Sequence, residues 1–133
     1  MNVEAVPTPA GPAGLLLSRD LIFTTKVVGT ARALGLVVVS VGNAALASAM
    51  LQQWTPEAVF VDLAAGDLVA PSALAVYRAQ AAGTAFVAFG SHVDAAALQA
   101  ARDAGCEEVM PRSRFSAELP DLLRRHLSAN PQA

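Results

Sequence analysis

One carboxylate in this chain stands where chemistry is usually done. In Ala58-Val59-Phe60-Val61-Asp62-Leu63 an apolar run stops at an acid, and a loop holding Gly66 follows. Open α/β sheets bind ligands beyond the carboxyl ends of their strands, so an acid there is placed to meet a cation or a reacting group. The companions that enzymatic chemistry needs do not accompany it. No nucleophile–base constellation, Gly-rich phosphate loop or metal-ligand cluster stands out, and Val41-Gly42-Asn43-Ala44 has too few glycines for a dinucleotide fingerprint. His92, with no partner acid, reads as a surface residue, and His126 as a charge favouring a helix C-terminus. Cys106 is the only cysteine, which excludes an internal disulfide and a cysteine-rich metal site; it reads as a buried structural thiol.

The elements that would position Asp62 follow from the hydrophobic pattern. Five short apolar runs, Leu15–Leu17, Leu36–Val41, 58–62, Ala85–Phe89 and Glu108–Met110, read as strands. Between them, helical spacing predicts helices over Asp20–Leu34, Ala44–Gln53, Pro71 to about Ala82, and a stretch capped by Asp94 and closed by Gly105. A last helix is expected from a Ser116 cap through Leu127, with Pro120 in its first turn. Gly35 and Gly83 are expected to close the first and third helices. Strands that are apolar throughout suit a parallel sheet covered on both faces. Right-handed crossovers then give an α/β, doubly wound (βα)5 three-layer sandwich.

The bulk numbers bound the rest. At 133 residues, 54% hydrophobic and 15% charged, the chain suits one domain with one core. Residues 1–13, with Pro7, Pro9, Gly11 and Pro12, read as a flexible arm; 14–128 form the domain and 129–133 a tail. Nine scattered basic residues and a net charge of −2 do not make a phosphate-tracking stripe, so no nucleic-acid partner is expected. No apolar run reaches the roughly 18 residues of a membrane span, and no secretory signal is visible, so a cytoplasmic location is expected.

At this point the chain resembles the receiver domain of bacterial response regulators, over about residues 14–128. The resemblance rests on the five-fold alternation, on Val59-Phe60-Val61-Asp62-Leu63, on the segment from Asp103 through Phe115, and on a first helix ending in Ala31-Arg32-Ala33-Leu34-Gly35. It implies the flavodoxin-like, CheY-like strand order 2-1-3-4-5. In that family two acids after strand one and the aspartate after strand three bind Mg²⁺, and that aspartate accepts a phosphoryl group. A Thr or Ser after strand four and a Lys after strand five contact the phosphoryl oxygens. Such a transfer needs a metal to neutralise charge and fixed cations to hold the oxygens.

Carried over residue by residue, Asp62 matches the phosphoacceptor. The acid pair falls on Ser18 and Arg19, with Asp20 one residue late. The Thr/Ser position falls on Gly90, with Ser91 next to it; the Lys position falls on Arg112 and the following Pro on Ser113; the last strand's switching aromatic falls on Val109. One of three metal carboxylates is therefore in register, and no Mg²⁺ is expected, because a guanidinium repels the ion. The pattern is that of a pseudo-receiver. Asp62 is expected to pair with Arg19 or Arg112 rather than to accept phosphate, and Asp67 reads as a solvated loop acid. Phe23 is either a surface contact or buried against a neighbouring helix.

The expected function is a stand-alone, non-catalytic signalling module acting through a protein partner or self-association. The favoured surface is the C-terminal third, through Arg112, Arg114 and Arg125, with Arg124 on the same edge. Two alternatives stay open: a phosphorylation-dependent regulator using Asp62, and a small-ligand binder at the sheet's switch point.

Overall fold

A computed structural model describes residues 6–133. Five parallel strands, β1 (Gly14–Leu17), β2 (Val38–Val41), β3 (Ala58–Asp62), β4 (Ala85–Gly90) and β5 (Glu108–Pro111), form one sheet in the order 2-1-3-4-5. The crossovers are α1 (Leu21–Ala33), α2 (Ala44–Gln53), α3 (Pro71–Gln80) and α4 (Ala95–Asp103). The chain ends in α5 (Arg112–Ala117) and α6 (Leu119–His126), and a 3₁₀ turn, Gly66–Val69, precedes α3. The doubly wound α/β sandwich expected from the alternation is the observed architecture.

Both sheet faces are covered, which is why the strands are apolar throughout. Successive side chains point to opposite faces. Leu15, Leu17, Val59, Val61, Phe86 and Ala88 pack with Met50, Leu74, Tyr77 and Ala101 under α2, α3 and α4. Leu16, Phe60, Val87 and Phe89 pack with Phe23, Val27, Phe115 and Leu122 under α1, α5 and α6. Asp62 has the parity of Phe60, so it leaves the strand on the α1 and α5 side. Register sets Asp62 beside Phe89.

Two element boundaries differ from the sequence expectation for identifiable reasons, although Gly35 closes α1 as expected. The second strand starts at Val38, not Leu36, because Leu36 closes α1. Its N–H donates to Ala31 O at 2.9 Å and Gly35 N–H to Arg32 O at 3.0 Å, with Gly35 at φ 74°. That is a Schellman closure, and only glycine takes the left-handed angle at little cost. Gly83 does not play this role: α3 stops at Gln80, and Thr84 N–H donates to Ala81 O at 3.0 Å across an ordinary turn.

The last helix is not one element. Ser116 lies inside α5, and Glu118, not Ser116, precedes α6. Pro120 has no N–H to give to the preceding turn, so the ladder breaks. Glu118 N–H turns back to Arg114 O and Leu122 N–H restarts the ladder on Glu118 O, both at 2.9 Å. Arg112 is therefore the first residue of a helix docked by the buried Phe115.

The flanking stretches touch the body. Val6 packs against the core on the α2 and α3 side of the sheet. The Asn130 side chain donates to Pro12 O at 2.7 Å, while its backbone N–H donates to Gly35 O at 3.1 Å. Residues 1–5 of the expected arm lie outside the described residues. Among the described residues, no helix is long and apolar enough to cross a membrane.

Candidate functional site

The site is the mouth of an open cleft of about 350 Å³ lined by Arg19, Asp20, Asp62, Ala64, Ala65 and Arg112. At its floor Asp62 is only 1% exposed. A buried carboxylate needs donors, and Asp62 has three. Ser18 Oγ donates to Oδ2 at 2.7 Å. Arg112 Nη2 donates to Oδ1 at 2.9 Å, and the Ala64 backbone N–H donates to the same oxygen at 3.0 Å.

Each partner is set by local structure. Ser18 follows directly on β1, is buried, and accepts from Asp20 N–H at 3.1 Å, which aims its hydroxyl hydrogen at Asp62. Asp20 is the N-cap of α1: its Oδ1 accepts from Phe23 N–H at 2.9 Å. Its Oδ2 lies 3.6 Å from Arg112 Nη1, so one guanidinium faces two carboxylates. The same guanidinium lies 4.5 Å from the Phe23 ring centre and 5.5 Å from that of Phe89. A flat, weakly hydrated cation suits such a slot better than an ammonium.

Of the two candidate cations, Arg112 reaches Asp62 and Arg19 does not. Arg19 spans the rim instead, donating through Nε to Gly42 O at 2.9 Å and through Nη1 to Asp67 Oδ1 at 2.6 Å. Asp67 is an exposed loop acid, yet it is paired. The hydrogen bond and charge of Arg19 hold its carboxyl below the usual carboxylate range.

Gly90 and Ser91 stand outside the cleft lining. Gly90 is a close-approach glycine, since a Cβ there would meet Leu63 Cβ at 3.2 Å. Ser91 is exposed and accepts from Val93 N–H at 3.4 Å. Phe23 is buried, in the second of the two environments open to it, with Phe89 at 5.1 Å and Phe115 at 5.8 Å between ring centres. Its part in the site, with that of Phe89 and the Ala64 N–H, is new to the structure. The available signal was the spacing Phe23, Val27, Ala31, which puts Phe23 on the buried face of α1.

The arginines expected to form a basic edge are all paired within the chain. Arg114 meets Glu118 at 2.9 Å and Arg124 meets Asp121 at 3.5 Å. Arg125 pairs with Glu108, whose other oxygen lies 2.7 Å from His126 Nε2. His126 thus has a specific acid partner as well as its place in the last turn of α6. Cys106 is buried, and its thiol is pushed up to about 11, mainly by desolvation.

No family model and no curated protein matches the sequence. The fold does match solved structures. The receiver domain of a Pseudomonas aeruginosa sensor histidine kinase, with magnesium coordinated in its active-site cleft, superposes at TM-score 0.74 and 22% identity, covering 88% of this chain and 98% of that one. A response regulator from Thermotoga maritima gives 0.71 at 18% identity, covering 86% and 95%. A CheY-like receiver domain from Methanospirillum hungatei gives 0.67 at 11%, covering 86% and 98%. The chain has the CheY-like fold of response-regulator receiver domains.

Proposed function

We propose that this chain is a non-catalytic signalling module of the receiver fold, a pseudo-receiver whose pocket is held by its own arginine. The observation that carries the reading is the 2.9 Å contact from Arg112 Nη2 to Asp62 Oδ1, with Asp20 on the guanidinium's other nitrogen. A hard divalent cation needs several oxygen ligands at short range. Here Ser18 and Arg19 stand after β1, Asp20 is committed to capping α1, and a fixed positive charge sits between the two remaining carboxylates. These residues do not fit Mg²⁺. Without the ion, phosphoryl transfer to Asp62 loses its main source of charge neutralisation.

A module with no chemical step signals by contact, so its partner is another protein or a second copy. The intrachain pairing of Arg114 and Arg125 weakens the C-terminal edge as a docking surface, because a partner's acids would have to displace existing ones. Leu21 and Ile22, 78% and 85% exposed on α1, are the alternative.

A working phosphorylation switch is the second reading, favoured by the open cleft beside Asp62. An Mg²⁺ titration followed by backbone NMR separates the two. The pseudo-receiver predicts no saturable shift at Asp62, Leu63 or Ala64 up to millimolar ion. Saturable shifts at those amides, lost in Asp62→Ala, would favour the switch.

A further inference from the structure

Arg112 is a long side chain at the mouth of an open cleft, and a free arginine there would sample many rotamers. Holding one arrangement costs side-chain entropy, which contacts beyond Asp62 help to offset. The start of α1 supplies two contacts. The guanidinium carbon lies 4.5 Å from the Phe23 ring centre, closer than to Phe89, and Asp20 Oδ2 lies 3.6 Å from Nη1. Phe23 cannot turn away, since it is wedged against Phe89 and Phe115. Asp20 cannot drift either, because its other oxygen caps the helix at Phe23 N–H.

We infer that Phe23, with Asp20, is a positioning residue: the first turn of α1 sets the Arg112 guanidinium on Asp62 and makes the pocket specific for arginine. This rests on the reading of Arg112 as the pocket's occupant. The cause is chemical as well as steric. The ring's π face attracts a planar cation that is partly out of water, and the carboxylate of Asp20 fixes its rotation about the stem. A lysine at position 112 would bring a compact, strongly hydrated ammonium, which lacks the planar fork that stacks on the ring while spanning the two carboxylates.

The test is the side-chain Nη–H signals of Arg112, the groups that face Asp62 and Asp20, in ¹⁵N-labelled protein. In the wild type these protons should exchange slowly with water, and the signals should vanish in Arg112→Lys, which assigns them. Phe23→Leu keeps an apolar side chain in the core but removes the ring; exchange should accelerate by roughly tenfold, the factor a partly desolvated cation–π contact supplies. Leu122→Ala, which loosens the same core from α6, an element that contributes nothing to the cleft lining, should leave the exchange rate unchanged. Phe23→Tyr should restore slow exchange. If Phe23→Leu does not fold, Asp20→Asn, which keeps the cap and removes the charge, should still accelerate exchange.

Equal effects of Phe23→Leu and Leu122→Ala would reduce Phe23 to a core residue and overturn the inference, as would an unchanged rate in Phe23→Leu. Phosphorylation of wild-type Asp62 would count against the proposed function instead, and would leave this positioning result standing.

Discussion

Arg112 reaches Asp62 from the far edge of the sheet. Its Nη2 sits 2.9 Å from an oxygen of a carboxylate that is 1% exposed, across 50 residues of sequence. The pair joins the start of α5 to the end of β3 and sets a positive charge of the chain itself against Asp62.

The sign of the stability change at Asp62 follows from this pairing. In a pocket of clustered acids, deleting one carboxylate relieves repulsion. Here Asp62→Ala leaves Ser18 and the Ala64 N–H without an acceptor and frees Arg112. It should lower stability by about 1–3 kcal/mol, nearer the lower figure because Arg112 is 31% exposed and can be rehydrated. Urea denaturation measures it; an unchanged or raised midpoint would show that the pair contributes nothing net.

Cys106 gives a pH-dependent prediction. Its folded thiol is pushed up to about 11 from an ordinary value of 9.0. As pH rises past 9 the unfolded chain loses this proton while the folded one keeps it, so this group's contribution to stability falls between about pH 9 and 11 and then levels. Cys106→Ala should remove that part of the alkaline slope. Native protein should also react with a thiol reagent near neutral pH far more slowly than denatured protein. Equal rates would contradict the burial.

The fold was legible in the sequence because two local signals agreed with the global one. The β-branched strands and the glycines at 35 and 105, both at positive φ, marked where elements stop. Asp62 at the end of β3 was legible for the same reason. What remained hidden depended on geometry across the sheet. Arg19 and Arg112 were equal candidates for Asp62 from their chemistry, and only the path of each stem decides between them. Arg19 leaves β1 toward Gly42, whereas Arg112 starts a helix whose axis carries it over Phe23. The split of the last helix was hidden by Ser116, a good cap by type that sits inside α5. Counting arginines showed a basic edge but not the acids Glu108, Glu118 and Asp121 that pair with it.

That pairing changes what charge reversal should do. Arg114→Glu and Arg125→Glu each break an exposed intrachain pair and should cost up to about 1 kcal/mol with little effect on association. Ile22→Glu should leave folding nearly unchanged, since Ile22 is 85% exposed, yet weaken any self-association or partner binding that uses α1. Sedimentation at high concentration and thermal melts of the three variants separate these effects. Loss of association in the arginine variants alone would return the contact surface to the C-terminal edge.

The most direct test of the central claim is intact-mass measurement of the protein after incubation with acetyl phosphate and Mg²⁺. With Arg112 seated on Asp62, no phosphoryl adduct should form on the wild type under conditions that label a working receiver domain. A stoichiometric adduct that disappears in Asp62→Ala would contradict the account and make this pocket a phosphoacceptor site.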